Sequence, residues 1–418
     1  MNKYLLIGSG GREYAIAQKL SEEKDSLVYV APGNIMMNKI ASNVETVDIN
    51  ELDFSNLIIF AKDNKIDLTI VGPEKPLSEG IVDFFEQNKL LIWGPNKYAA
   101  QLESSKVFAK QLMKDAKVKT AEYESFNNIE KAFAYINKCI FPIVIKANGL
   151  ASGKGVVIAE DKEAAIKAIN DLFKLPNQTE LVIEEYLVGE ELSFITMIND
   201  DEIVPMPFAQ DHKRLLNNDK GPNTGGMGAY SPVPGVNETL KYNAINEIIK
   251  PIINQFKIKG NPFKGFLYAG LIKTNDNELK VIEFNVRMGD PETQVILPQL
   301  KSDFGKSIID LLNNKRVKLN WTNHKYYLGS VVASKGYPKQ YSNYLKLPKF
   351  DKNEMVVYSG VKEQSDEIKS YGGRVLMVVT EDEQLINAQN KVNQVLTETV
   401  DTNQYSFRTD IGSKKIKS

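Results

Sequence analysis

The first hundred residues alternate short, wholly apolar runs with polar, helix-compatible stretches. Residues 3–8 (KYLLIG), 27–30 (LVYV), 68–72 (LTIVG) and 90–94 (LLIWG) each close on a turn signal. Strands this short and this apolar, separated by helices, belong to parallel βαβ units covered on both faces. A doubly wound α/β domain is therefore expected at the N-terminus. Ligands of such sheets bind at the carboxyl ends of the strands, and the glycines and prolines fall there: 8–13 (GSGGRE), 32–34 (PGN), 72–74 (GPE) and 94–95 (GP).

A chain of 418 residues is too long for one small core and implies several domains. Residues 103–117 have a helical pattern with Lys106 near its start. A β-rich region follows, with strands expected at 140–147, 155–159 and 181–185 and an amphipathic helix at 161–173. The stretch 210–234, rich in Gly, Pro and Asn, is expected to be irregular. A helix at 237–256 and strands at 265–273 and 278–286 come next. Beyond residue 319 a final α+β segment includes strands at 328–333, 355–358 and 373–379. The lysine-rich end, 414–417, reads as a solvated tail.

Composition narrows the function. A formal net charge of −1 gives no bulk attraction for nucleic acid. No apolar run approaches the roughly 20 residues that span a bilayer, and the N-terminus goes directly into a strand rather than a secretory signal. The single Cys139 cannot form an intramolecular disulfide. The expectation is a cytoplasmic enzyme without nucleic-acid or membrane partners, a monomer or a weak homodimer. With only His212 and His324, a catalytic metal should have oxygen ligands.

Residues 280–292 (KVIEFNVRMGDPE) are the most informative. Alternation along a strand puts Glu283, Asn285 and Arg287 on one face and Ile282, Phe284 and Val286 on the other, toward the core. Three polar side chains in a row are costly to bury without partners. A hard cation that also holds nucleotide phosphates would satisfy Glu283 and Asn285. Arg287 could bind a carboxylate or phosphate, or stabilise charge developing in phosphoryl transfer. The bland alternative is an edge strand with one solvated face.

Residues 144–157 (VIKANGLASGKGVV) place Lys146 at a strand end before a glycine loop that suits phosphate oxygens. The loop is not a Walker motif: 149–154 is one residue short, and Gly155 stands where Ser or Thr should hold Mg²⁺. Residues 181–194 (LVIEEYLVGEELSF) form a strand–connector–strand unit of the kind that presents backbone groups to an adenine edge. The 211–214 loop (DHKR), followed by the glycine cluster 221–228, suits an anionic substrate, with His212 itself read as structural.

Together these segments resemble an ATP-grasp ligase, and more narrowly the glycinamide ribonucleotide synthetase (phosphoribosylamine–glycine ligase) family. The resemblance runs almost end to end: GSGGREYA at 8–15, APGN at 31–34, VGPE at 71–74, QLESSK at 101–106, IKANGLASGKGV at 145–156, QDHKR at 210–214, GPNTGGMGAYSP at 221–232, GFLYAGL at 265–271, EFNVRMGDPE at 283–292 and GGRVL at 372–376. It implies ligation of glycine to 5-phosphoribosylamine with ATP, through a glycyl phosphate, in purine biosynthesis. It also implies a pre-ATP-grasp α/β domain (1–103), an ATP-grasp domain (104–319) with an inserted lid (about 119–190), and a small C-terminal α+β domain (320–418).

By the same resemblance Glu283 and Asn285 hold Mg²⁺ or Mn²⁺, Lys106 and Lys146 contact ATP phosphates, and the loop Ser152, Gly153, Lys154 and Gly155 closes over them. Glu184, Glu185 and Leu187 line the adenine, and Glu191 approaches the ribose. Arg287 stabilises the acyl phosphate with help from Asp211 and Lys213. Gly10, Gly11, Arg12, Glu13 and Asn34 hold the phosphoribosyl group, with Gly289 and Asp290 also in the substrate site. The chain departs from the family pattern at Tyr14 (commonly His), Asn148 (Asp), Met288 (Phe) and after Gly412. The strand 265–271 offers no second acidic metal ligand of the kind many ATP-grasp enzymes have. A dinucleotide oxidoreductase is the main rival from another class, but Glu13 occupies the third glycine of G-x-G-x-x-G and residues 30–32 lack the ribose-binding acid. A catalytically dead ATP-binding scaffold and a ligase for another carboxylate are the remaining rivals.

Overall fold

Tyr4, Leu5, Leu6 and Ile7 are consecutive and wholly buried, which a strand achieves only inside a sheet covered on both sides. The structure, a computed structural model, describes residues 1–150, 155–176 and 178–417. It builds the N-terminal sheet from β1 (Asn2–Gly8), β2 (Ser26–Pro32), β3 (Val44–Thr46), β4 (Leu68–Val71) and β5 (Ile92–Trp93). All are parallel, in the order β3-β2-β1-β4-β5. The order reverses between β1 and β4, so a crevice opens at their carboxyl ends. Glu13, in the first turn of the helix Gly11–Ser21, fills it. A Cβ on Gly72 would lie 2.2 Å from Glu13 Oε1, and one on Gly8 (φ +123°) 2.7 Å from its Cγ, so both positions require glycine.

The helix expected over 103–117 is two helices, Lys97–Ser104 and Lys106–Asp115. Ser105 is extended, and its Oγ caps the second helix by accepting from the Phe108 N–H at 3.2 Å. Lys106 is thereby fixed in the first turn of a new helix.

The lid sheet comprises β6 (Tyr123–Phe126), β7 (Ile143–Ala147), β8 (Val156–Ala159) and β9 (Leu181–Glu185), in the order β6-β9-β7-β8. β7 starts later than expected, because Pro142 has no N–H to donate and Ile140 is 91% exposed. The helices Ile129–Ile136 and Lys162–Phe173 pack on this sheet and share with it a separate apolar core that includes Phe126, Ile136, Ile145, Ile169 and Ile183. Two other clusters run through the N-terminal sheet, the central sheet and the C-terminal segment alike. The lid is therefore the part with its own core.

The central sheet is formed by β10 (Gly189–Asn199), β11 (Glu202–Pro205), and two later strands that follow the 210–234 region. That region is not irregular. It holds β12 (Gln210–Asp211), β13 (Arg214–Leu216), β14 (Lys220–Asn223) and β15 (Gly228–Ser231). Its glycines let backbones meet: a Cβ on Gly228 would lie 2.6 Å from the Gly329 carbonyl oxygen of the neighbouring strand. β16 (Lys264–Thr274) and β17 (Leu279–Asn285) complete the order β11-β10-β16-β17.

β18 (Tyr326–Ser334), β19 (Met355–Tyr358), the hairpin β20 (Val361–Gln364) and β21 (Glu367–Ser370), β22 (Arg374–Asp382) and β23 (Tyr405–Ser406) follow. β15 and β12 extend the β18–β22–β19 sheet, so the C-terminal segment is stitched to the centre by backbone hydrogen bonds. The lysine-rich end is solvated only in part: Lys414 and Lys417 are exposed, Lys415 and Ile416 half-buried. Ile411 is 1% exposed, and a short helix, Ser413–Ile416, sets Lys415 2.7 Å from Glu190 and Lys414 2.7 Å from Asp219. Among the described residues no helix is long and apolar enough to cross a membrane.

Candidate active site

β17 forms one wall of a cavity of about 340 Å³ between the lid, the central sheet and the helix Lys106–Asp115. That volume lies in the range of small-ligand sites. Glu283, Asn285 and Arg287 all line it; Phe284 also borders it but, like Val286, is only 2% exposed. Ile282 departs from the expected alternation. A bulge pairs Glu283 with Gly270 but Val281 with Leu271, so Ile282 faces the cavity and Val281 takes the core position. Glu283 and Asn285 are hard oxygen donors side by side. Among the described residues no group of three or more His, Cys, Asp or Glu could hold a metal ion. The pair therefore fits a cation that completes its shell with phosphate and water oxygens, as Mg²⁺ does.

Three lysines converge from the other walls. Lys106 Nζ donates to the Gly149 carbonyl at 2.9 Å. Burial lowers its pKa, with Glu283 the largest opposing influence. Lys146 Nζ lies 2.8 Å from Glu184 Oε2 and donates to the Ile282 carbonyl at 3.2 Å. Lys110 Nζ lies 3.2 Å from Glu184 Oε1 and donates to Thr120 Oγ1 at 2.8 Å. Burial pushes Lys110 down to about 8 despite Glu184. All three members of this Lys110–Glu184–Lys146 triad are almost wholly buried. The Glu184 carboxylate is thus committed to lysines, and residues 184–187 line the cavity beside it. Glu185 accepts from the Glu122 N–H at 3.1 Å and lies 3.5 Å from Lys280. Glu185, Leu187, Glu191 and Gly155 line the cavity. Burial raises the Glu191 pKa, partly offset by Lys213. Ser152, Gly153 and Lys154 lie outside the described residues.

Arg287 is held from two sides, 2.9 Å from Glu103 Oε1 and 3.2 Å from Glu74 Oε2. Arg12 approaches the same Glu74 at 4.0 Å and Glu13 at 2.5 Å. Burial alone would raise the Glu74 pKa, but Arg287 and then Arg12 prevail and hold it at about 2. Burial raises the pKa of Glu103, which also accepts from the Val286 N–H at 2.8 Å. The structure does not bring Gly10, Gly11, Arg12, Glu13 or Asn34 to the cavity. Glu13 Oε2 accepts from the Gly10 N–H at 2.7 Å, and Asn34 Nδ2 donates to the carbonyls of Ser9 at 2.9 Å and Tyr358 at 3.3 Å. These groups staple the first βα turn to itself and to β19. Gly289 and Asp290 do line the cavity. Asp290 lies 2.9 Å from Arg374 and accepts from Gln294 at 2.6 Å.

Asp211 and Lys213 form an ion pair at 2.7 Å, on the cavity wall. His212 between them turns inward, its Nε2 accepting from the Gly412 N–H at 3.1 Å. Burial, then Arg408, lower its pKa to about 4. Because the folded value lies below the ordinary one of about 6.5, stability is complete above pH 6.5 and lost as the pH falls toward 4. The ceiling is about 3 kcal/mol. Chemical denaturation at pH 7.5, 5.5 and 4.5 should show this loss in the native chain and a smaller one in His212→Asn. Equal slopes would remove His212 as the cause.

With this geometry, comparison with known proteins decides the family. Residues 2–103, 104–293 and 327–414 match the N, ATP-grasp (A) and C domains of phosphoribosylglycinamide synthetase. The phosphoribosylamine–glycine ligase of Lactococcus lactis is 47% identical over 416 residues, covering 99% of this chain and 100% of that protein. That of Streptococcus pneumoniae is 47% identical over 424 residues with the same coverage. The chain belongs to the phosphoribosylglycinamide synthetase family. The crystal structure of the Thermotoga maritima phosphoribosylamine–glycine ligase superposes with a TM-score of 0.84 at 29% identity, covering 98% of this chain and 100% of that one. A biotin carboxylase from Campylobacter jejuni shares the fold alone, with a TM-score of 0.73 at 15% identity over 100% of this chain and 96% of that one.

The family motifs carried several residues whose place only the structure reveals. Glu74 and Glu103 sit in VGPE and QLESSK yet act as partners of Arg287. Lys110 lies in no motif; an isolated lysine on a helix reads as solvated. Ser193, Tyr268 and Glu292 come from three segments and meet at one corner of the site.

Proposed function

We propose that this member of the family joins glycine to 5-phosphoribosylamine at the expense of ATP, giving glycinamide ribonucleotide, ADP and phosphate in de novo purine biosynthesis. The glycine carboxylate attacks the γ-phosphate and releases ADP, forming glycyl phosphate. The amine of phosphoribosylamine then attacks the carbonyl carbon, and phosphate leaves. Activation is needed because a free carboxylate is a poor electrophile. No protein nucleophile enters, so catalysis rests on positioning and on neutralising charge.

The observation that carries this reading is the row Glu283, Asn285 and Arg287 on one cavity wall, with Lys106 and Lys146 on the walls facing it. Glu283 and Asn285 would hold Mg²⁺, or Mn²⁺ in its place, which supplies positive charge to the phosphate oxygens. Lys106 and Lys146 approach the phosphates, and the 184–187 backbone and Glu191 receive the nucleoside. Ser152 to Gly155 form the covering loop. Arg287, held rigidly by Glu74 and Glu103, stands ready for the acyl phosphate, with Asp211 and Lys213 beside it. Gly289 and Asp290 belong to the amine-substrate end, with Gly10 to Glu13 and Asn34 behind them. The reading includes the domain division 1–103, 104–319 and 320–418. Its lid, about 119–190, closes to exclude water, consistent with a separate apolar core. It also includes a cytoplasmic monomer or weak homodimer with small-molecule partners only.

Phosphate release from ATP and Mg²⁺, with glycine and freshly generated phosphoribosylamine each omitted in turn, tests the reading. Release that depends on both, with glycinamide ribonucleotide as product, is expected. Release with a different carboxylate instead would leave the fold and remove the named reaction.

A further inference from the structure

We propose that Glu292 is the recognition point for the ammonium group of the amino-acid substrate, oriented for that purpose by Ser193 and Tyr268. The inference rests on the reading that the activated carboxylate belongs to an α-amino acid.

Glu292 is 2% exposed and lines the cavity. Its Oε1 accepts from Ser193 Oγ at 2.9 Å, and Ser193 Oγ lies 3.0 Å from Tyr268 Oη. With the Ser193 proton given to Glu292, the Tyr268 hydroxyl donates to Ser193. Burial, then Glu292, raise the Tyr268 pKa well above its ordinary value, so this chain keeps its protons. The relay runs from β16 through β10 to the segment after β17, and it fixes the carboxylate against two strands of the central sheet.

What the carboxylate lacks is a cation. Among the described residues no lysine or arginine makes an ion pair with Glu292. The nearby Lys213 is already taken, 2.7 Å from Asp211. Arg287, the other cation whose charge Glu292 supports, is held by Glu74 and Glu103. Burial and Asp211 accordingly raise the Glu292 pKa. A buried carboxylate without a counter-charge is unfavourable, and such groups persist where a ligand supplies the partner. The zwitterion of glycine carries its ammonium two bonds from the carboxylate that must reach the phosphate. Glu292, Glu283 and Asn285 line the same cavity, so the ammonium would meet Glu292 while the carboxylate turns toward a cation held by Glu283 and Asn285.

Gly289 makes the placement possible. A Cβ there would lie 2.4 Å from Glu292 Oε2, so only glycine leaves room for the carboxylate to turn back beneath the chain. The 289–292 block thus fixes one more carboxylate on the cavity wall, at the corner shared with Ser193 and Tyr268.

The test is the ligase assay run on Glu292→Gln, with glycolate, which has a hydroxyl in place of the ammonium, as competitive inhibitor against glycine. The native enzyme should hold glycine well below the glycolate inhibition constant. In the variant the KM for glycine should rise about ten- to a hundred-fold, the cost of losing a charge-assisted hydrogen bond, while the glycolate constant moves less than about threefold. Ser193→Ala should shift the glycine KM in the same direction by a smaller factor, and it serves should Glu292→Gln fold poorly. Equal weakening of glycine and glycolate, or an unchanged glycine KM with a lower kcat, would overturn the proposal. Failure of the native chain to use glycine at all would instead overturn the functional reading beneath it.

Discussion

Glu283→Ala is expected to lose ATP turnover by on the order of 10³-fold or more while the chain stays folded. The two halves of this expectation have separate physical grounds. Folding is spared because the side chain points into the cavity, whereas Val281, Phe284 and Val286, at 0–2% exposure, supply the packing of this strand. Turnover is lost because Glu283 is the one carboxylate of the oxygen pair, and Asn285 alone offers no charge to a divalent cation. The variant also removes the negative charge that most favours the Lys106 ammonium, which burial already disfavours. Phosphate release, read beside thermal unfolding, checks both halves. A fully active variant would sink the metal assignment, and a variant that unfolds would show the strand depends on Glu283 in a way its burial does not indicate.

The second large effect is structural. Glu184→Ala should destabilise the lid by about 3–5 kcal/mol, because it strands two buried lysines at once. Lys110 and Lys146 are 3% and 7% exposed at their side chains and have no other carboxylate within ion-pair distance among the described residues. Lys110, already held down to about 8 by burial, would lose the group that chiefly opposes that burial. Because the lid has its own apolar core, the loss should be local. Hydrogen exchange should accelerate in β7 and β9 but not in the N-terminal sheet. Glu184→Gln, which keeps the shape and one acceptor, should lose less. Unchanged exchange in β7 would mean that water reaches the triad and screens it.

Much of the architecture was legible in the order of residues. The parallel N-terminal sheet, the strand that carries Glu283 and Asn285, and the helix after Asp161 each rest on periodicity and on local caps, which depend only on near neighbours. Family motifs carry the site residues as well. Local pattern misleads where a residue's partner is distant in the chain. The glycines of residues 210–234 suit loops, yet β15 is a strand since β18 lies alongside it. A lysine-rich tail suits solvent, yet Lys415 lies half-buried against Glu190. Asn34 sits in a family motif but spends its amide on Ser9 and Tyr358.

Sequence alone determined which strands exist, which face of β17 is polar, and which chemistry those side chains can perform, because alternation and side-chain type are local properties. Tertiary structure decided which charges are paired and which are left over. Glu184 has two lysines and Glu74 two arginines, while Glu292 has none among the described residues. That distribution depends on contacts across the chain and on the exclusion of water from them, and neither is written in the spacing of residues.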